Sequence, residues 1–250
     1  MFLLRRVSGY SSIRMSSSLS NSQEIRSKPA ALIFLHGLGD SPAGWSSLKH
    51  TLPSLKPNLT ELKYVFPKAP DIPLSINGNM VMPGWFDLYD WPIGVGSKDD
   101  KEGKMKAINQ IETIVENLIE ESAGTLDRDR IVIGGFSQGG AIALLSAYQK
   151  SRETKPFAGC VALSGWITLK DQMVANLKSS SAAQTPLFWG HGEYDDKVLF
   201  EQQKYGVDIL KENGVNVKNE QYPMGHESHP LEIQAFAEFL DETLFSSCED

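Results

Sequence analysis

The sequence predicts an α/β fold, built as one domain with a mostly parallel central sheet and helices on both of its faces. Three observations carry this. From Ala30 onward, short apolar runs of strand length alternate with longer segments of helical periodicity, the pattern of repeated βα units. The third run leads straight into a glycine-rich turn and another helical segment. The 250 residues are long for one domain but lie within what an α/β fold places around one sheet, and no repeat, low-complexity tract or inter-domain linker interrupts them. The expected division is an N-terminal extension (residues 1–29), a single domain (30–246) and a short tail (247–250).

Taken in order, the expected strands are Ala31–Leu35, Leu62–Phe66, Ile131–Gly134, Gly159–Leu163, Pro186–Gly190 and Val215–Tyr222, each a short apolar or alternating run bounded by turn residues. Met105, Ile108, Ile111, Ile114, Val115, Leu118 and Ile119 recur at a spacing that puts them on one helix face. A second helix is expected from Gly139 to Lys150, and a third over Leu199–Asn213, stopped by Gly214. The last starts near Pro230, which suits a first helical turn, with Ile233, Phe236, Phe239 and Leu240 as its apolar stripe. The segment Pro73–Gly96 is rich in Gly and Pro yet unusually apolar, with Met80, Met82, Trp85, Phe86 and Trp91 close together. It reads as a long loop without secondary structure of its own, forming the wall of an apolar groove or covering a sheet edge.

Composition narrows the function. Hydrophobic residues make up 41% and charged residues 22%, which excludes a disordered or collagen-like chain. A formal net charge of −7 argues against nucleic acid, whose binders present a basic face. The two cysteines, Cys160 and Cys248, provide neither a disulfide framework nor zinc spacing, and Cys160 sits in an apolar run that predicts a buried thiol. The first 22 residues hold three arginines, many serines and no acid. That composition fits a mitochondrial or plastid transit peptide, and equally a flexible tail with a second start at Met15. No apolar run approaches the roughly 18 residues of a membrane span. A soluble, cytoplasmic protein is expected, with an organelle as the alternative if the extension is a transit peptide.

The chemistry concentrates at Ile131-Val132-Ile133-Gly134-Gly135-Phe136-Ser137-Gln138-Gly139-Gly140, a β-like run ending in Gly-x-Ser-x-Gly and opening a helix. This is the nucleophile elbow of α/β hydrolases, and it makes Ser137 the candidate nucleophile. A serine hydroxyl attacks usefully only when exposed, aimed at a base and set beside donors for a developing oxyanion, and a sharp strand-to-helix turn provides all three. The rival reading, a phosphate-cradling loop, lacks the Lys-Ser/Thr that should follow. In this fold the acid and then the base come later in the chain. That order leaves His226 and His229 as bases. His226 is preferred because it follows Met224-Gly225 in a loop after the last strand, whereas His229 abuts a helix start. Of Glu193, Asp195 and Asp196 in the loop after Pro186–Gly190, Asp195 fits Gly-x-x-Asp-x-x-Val with Gly192 and Val198. Asp196 is then expected to cap the following helix. The oxyanion donors would be the backbone N–H groups of Leu38, in the glycine-flanked loop after the first strand, and of Gln138. His36 is expected to make a structural hydrogen bond and Asp40 to serve a turn or cap.

The segments LIFLHGLGDSPAGW, MPGWFD, GGFSQGGAIAL, LSGW, HGEYDDKV and MGHE line up, in order, with the acyl-protein thioesterase family, and the resemblance spans nearly everything from Ala30 to Phe245. That family, also described as lysophospholipases or carboxylesterases, comprises compact α/β hydrolases that remove palmitoyl groups from protein cysteines and cleave lysophospholipids and small esters. The resemblance implies the same catalytic set, Ser137, Asp195 and His226, and the same oxyanion donors, Leu38 and Gln138. It also implies that Trp85 and Trp166 lie near an acyl channel. S-acylated proteins, lysophospholipids or small esters would be the substrates, with no cofactor and a monomer or weak homodimer as the working form. Two positions depart from the pattern: Phe2 stands where some relatives carry a palmitoylated cysteine, and Asp196 where relatives have proline.

Overall fold

A computed structural model describes residues 28–149 and 155–245. The readings of residues 1–27, with Phe2 and Met15, of Lys150, and of Cys248 in the tail fall outside these. The strands are β1 (Ala30–Leu35), β2 (Leu62–Val65), β3 (Asp71–Leu74), β4 (Met80–Pro83), β5 (Ile131–Phe136), β6 (Gly159–Leu163), β7 (Leu187–Gly192) and β8 (Val217–Tyr222). The helices are α1 (Pro42–Trp45), α2 (Leu48–Leu55), α3 (Lys101–Glu121), α4 (Gln138–Tyr148), α5 (Lys170–Leu177), α6 (Glu201–Glu212) and α7 (Pro230–Phe245).

Six strands form one sheet in the order β2-β1-β5-β6-β7-β8, every neighbouring pair parallel. Parallel strands need crossovers, and the intervening helices cover both faces, so the central strands are apolar on both sides. Ala31, Ile33 and Leu35 of β1, with Ile131, Ile133, Cys160, Leu187 and Trp189, join the core that contains residues of α3, α4, α5 and α6. Their alternates Leu32, Phe34, Val132, Val161, Leu163 and Phe188 pack with residues of α2 and α7. The strand period of two divides one sequence between two cores. The expected fold class and the six expected strands are present.

Helix α3 extends beyond its apolar stripe at both ends. Asp100 caps it, its carboxylate accepting from the Gly103 N–H at 3.0 Å, and the chain leaves it through Ala123 and Gly124, both at positive φ. Gly214, at φ 86°, follows α6 as expected.

Four expectations are corrected. The Pro73–Gly96 segment is not structureless: β3 and β4 pair antiparallel, Pro73 opposite Val81, across a turn in which Gly78 and Asn79 take left-handed conformations. Proline inside a short ribbon, and exposed apolar residues such as Met80 and Val81, mask its strand pattern. Helices α1, α2 and α5 are not expected from the sequence; the first two are short and carry Pro42 and Pro53, and α5 has only eight residues. Asp196 does not cap α6, which begins at Glu201 with Phe200 before it; its carboxylate instead meets Lys197 Nζ at 3.1 Å. β5 and β7 each run two residues past their expected ends, Gly135 and Phe136 staying in the ladder with β6 and His191 and Gly192 in the ladder with β8.

Candidate active site

At the carboxyl end of β5 the chain turns through Ser137 into α4. Ser137 takes φ 55° and ψ −121°, a conformation L-residues rarely adopt and one that costs about 1–3 kcal/mol. Two glycines make the turn possible. A Cβ on Gly135 would lie 2.4 Å from the Gly139 carbonyl carbon, and one on Gly139 would lie 2.2 Å from the Leu35 carbonyl oxygen. The surrounding backbone therefore holds the serine in its strained state, anchored by its N–H to the Leu163 carbonyl at 2.8 Å.

His226, in the loop between β8 and α7, reaches Ser137: its Nε2 lies 2.9 Å from Ser137 Oγ. Its Nδ1 lies 2.7 Å from Asp195 Oδ2. An ionised carboxylate only accepts, so Nδ1 carries the proton and Nε2 is left to accept from the serine hydroxyl. The other oxygen of Asp195 accepts from the N–H groups of Lys197 and Val198, both at 2.9 Å. Burial pulls the Asp195 pKa upward, but the hydrogen bond and charge of His226, with those two N–H groups, hold it below the ordinary carboxylate value. The acid and histidine loops are laced together: Glu193 N–H donates to the Tyr222 carbonyl (2.9 Å) and Tyr194 N–H to the Met224 carbonyl (3.0 Å).

Competing residues stand elsewhere. His229 sits at the entry to α7, its Nδ1 accepting from the Leu231 N–H at 3.2 Å and its ring stacked on Tyr222. His191 is fully buried and gives its Nε2 proton to the Val198 carbonyl (2.8 Å); burial lowers its pKa and keeps it neutral beside Asp195. His36 accepts from the Ala69 N–H through Nε2 (3.1 Å) and bonds the Gly37 carbonyl through Nδ1 (2.8 Å). Asp40 accepts from the Ser41 N–H at 2.7 Å, at the start of α1.

Leu38 and Gln138 line the same cavity as Ser137 and His226, a hollow of about 250 Å³ with Leu88, Trp91, Ile93, Trp166 and Val198 in its walls. Gln138 is the first residue of α4, among the helical N–H groups that have no partner one turn back. The loop after β1 comes close enough that a Cβ on Gly37 would stand 3.4 Å from Ser137 Cβ. Trp166 lies in the wall of this cavity. Trp85 is buried and is not among the residues of that wall, whereas Trp91 of the same segment is.

The chain matches the model of the phospholipase/carboxylesterase family over residues 21–244. It belongs to that family of α/β hydrolases. It is 37% identical to acyl-protein thioesterase 1 of Mycosarcoma maydis over 228 residues, 87% of this chain and 92% of that protein. Among solved structures it is similar to Zea mays acyl-protein thioesterase 2 (32% identity, TM-score 0.73, 87% and 95% of the two chains). It is also similar to Arabidopsis thaliana SOBER1 (29% identity, TM-score 0.78, 86% and 99%). As a member of this family the chain is a serine hydrolase that acts on acyl esters or thioesters.

Within this hydrolase the wall residues Leu88, Ile93 and Val198 are not distinguished as such by the sequence, since an apolar residue in a loop reads the same whether it packs inward or lines a groove. Asp99 ties the segment that follows Trp166 to α3 by bonding Lys104, Thr168 Oγ1 and, at 3.1 Å, the Leu169 N–H. Cys160 is a buried free thiol whose pKa burial pushes up, so it stays protonated. Among the described residues no three His, Cys, Asp or Glu side chains gather as a metal-donor set, and no helix is long and apolar enough to cross a membrane.

Proposed function

We propose that this hydrolase is an acyl-protein thioesterase working through Ser137, His226 and Asp195. The observation that carries the reading is the unbroken chain Ser137 Oγ, His226 Nε2, His226 Nδ1, Asp195 Oδ2, with links of 2.9 and 2.7 Å. His226 takes the hydroxyl proton as Ser137 Oγ bonds the acyl carbonyl carbon, and the carbonyl electron pair moves onto oxygen. That oxyanion rests on the N–H groups of Leu38 and Gln138. When the tetrahedral centre collapses, the bond to sulfur breaks and His226 returns its proton to the leaving thiolate. Water then repeats the sequence on the acyl-enzyme and releases the fatty acid. Asp195 stays ionised throughout, holding the imidazole tautomer and stabilising the imidazolium.

The substrate class follows from the cavity. Its lining is mostly apolar, Leu88, Trp91, Ile93, Trp166 and Val198 outweighing Asp40 and Lys197, which suits the hydrocarbon of a fatty acyl chain, and a protein cysteine would be the leaving group. S-acylated proteins are the proposed substrates, as the name of the Mycosarcoma maydis relative also suggests. A second reading, a carboxylesterase or lysophospholipase acting on small or lysolipid esters, is favoured by the modest size of the cavity, about 250 Å³. Leu88, Ile93 and Trp166 are shared with the lining of a neighbouring hollow that also holds Lys98, Asp99 and Lys104.

The test is a chain-length series of acyl thioesters with matching oxygen esters, with Ser137→Ala alongside. Turnover that rises toward thioesters of about eight carbons or more supports deacylation of proteins. Turnover confined to short oxygen esters supports the second reading. Ser137→Ala is expected to lose about 10⁴- to 10⁶-fold in kcat, and a variant retaining most of its activity overturns both.

A further inference from the structure

Trp85 is 2% exposed and stands outside the cavity wall, yet it bonds to both segments that carry the proposed oxyanion donors. Its backbone N–H donates to Gln138 Oε1 at 2.8 Å, and Gln138 Nε2 donates in return to the Phe86 carbonyl at 2.7 Å. Its indole Nε1–H donates to the His36 carbonyl at 2.8 Å, and the His36 ring packs against the indole with centroids 5.5 Å apart. Two residues back, the Pro83 carbonyl accepts from the Gly39 N–H at 2.8 Å. Between them lies Gly84, where a Cβ would come within 3.0 Å of Leu38 Cδ1. The turn Pro83-Gly84-Trp85 thus brackets Leu38 on both sides, at the carbonyl of residue 36 and the N–H of residue 39, while the same tryptophan holds the side chain of Gln138.

We infer that Trp85 is the positioning residue of the oxyanion hole, setting the distance between the Leu38 and Gln138 N–H groups. This rests on the proposed Ser137 mechanism. Two donors on different elements, the β1 loop and the start of α4, act together only if something fixes their separation. An oxyanion donor works within a window of about 2.7–3.1 Å, and its loss costs about 10²- to 10³-fold in kcat. Among the described residues the indole N–H makes the hydrogen bond from Trp85 to the β1 loop. Removing it leaves a buried carbonyl unpaired and frees the loop to shift by the few tenths of an ångström that matter.

The experiment replaces Trp85 in the full chain by β-(3-benzothienyl)alanine, which keeps the ring shape and puts sulfur in place of the N–H, and separately by Phe. Active sites are counted by the end point of covalent labelling with a fluorophosphonate. The readouts are kcat and KM on an octanoyl thioester, inhibition by an octyl trifluoromethyl ketone, inhibition by the matching methyl ketone, and Tm. The fluorinated ketone accepts Ser137 Oγ at its carbonyl carbon and places an oxyanion in the hole; the methyl ketone reports ground-state binding.

The expected result with the benzothienyl residue is a fall in kcat per active site of about tenfold or more. KM and methyl-ketone affinity should stay within about twofold, and trifluoromethyl-ketone affinity should fall in step with kcat. The Phe variant should show the same split with a lower Tm. If kcat per site and trifluoromethyl-ketone affinity are unchanged while Tm falls, Trp85 is only a packing residue and the inference is wrong. If Ser137→Ala remains active, the underlying mechanism is what fails, and the two failures are told apart by that control.

Discussion

His226 Nδ1 lies 2.7 Å from Asp195 Oδ2, while Asp196, one residue on, turns outward to Lys197. The neighbouring carboxylates are therefore not interchangeable. Asp195→Asn keeps the shape but would pair its amide with the wrong imidazole tautomer, so kcat/KM is expected to fall by about 10⁴-fold. Asp196→Asn should change it less than about twofold, since an exposed ion pair of this kind contributes little. Steady-state kinetics of the two variants on one thioester decide this; equal losses would contradict the assignment of the acid.

Gly192, the last residue of β7 before the acid loop, packs against the backbone of the histidine loop. A Cβ there would lie 2.3 Å from the Gly225 carbonyl oxygen and 2.5 Å from that of Met224, both backbone atoms. Gly192→Ala must push the loops apart, and it is expected to stretch the Asp195–His226 pair. We expect a Tm lower by several degrees, as for a destabilisation of about 1–3 kcal/mol, and kcat lower by about 10-fold or more. An alanine variant with native Tm and kcat would show that the loops are more compliant than this packing indicates.

Much of the fold and of the site is legible in the amino-acid sequence. The alternation of Leu32 and Phe34 with Ala31 and Ile33 looks like one continuous apolar run, and a run buried on both faces is what a parallel sheet needs. Ser137 is legible because a strained turn demands glycines at fixed offsets, and steric necessity leaves a mark in sequence. The chain order of acid and base then limits the remaining choices to a few residues. What escapes depends on side-chain direction in irregular backbone. Trp85 and Trp91 belong to the same apolar segment, and only the structure separates Trp91, which lines the Ser137 cavity, from Trp85, which is buried and bonded to His36. The ribbon itself escapes because Pro73 and Pro83 are poor strand formers and much of it is exposed.

Trp91 is 46% exposed and lines the same cavity as Trp166, so it can cover the outer part of an acyl chain without holding the reacting atoms. Trp91→Ala is expected to raise KM for octanoyl and longer substrates about fivefold, equivalent to roughly 1 kcal/mol of lost apolar contact, and to leave kcat nearly unchanged. For acetyl and butyryl substrates KM should not move. A uniform change in KM across chain lengths would place Trp91 outside the acyl path.

Glu232 carries a pH dependence of stability that is separate from catalysis. Its carboxyl is fully buried against Gly190 of β7, where even a Cβ would come within 2.2 Å of Oε1. Oε1 has no hydrogen-bond partner among the described residues, and Oε2 receives only the His229 N–H at 3.4 Å. Burial pushes the pKa up to about 8, the His229 N–H opposes this, and the charge of Glu220 adds to it. In the unfolded chain the group ionises at its ordinary value, 4.5. Below that pH both states hold the proton and nothing changes. Between the two values the folded state keeps the proton while the unfolded state releases it, so stability falls by about 1.4 kcal/mol for each pH unit gained, and it levels off above the folded value. Glu232→Gln removes the titration. Its Tm relative to the parent should therefore rise steadily from pH 5 to pH 8, measured by thermal melts at matched ionic strength. A difference in Tm that stays constant over that range would mean that Glu232 is already ionised in the fold, contrary to its burial against Gly190.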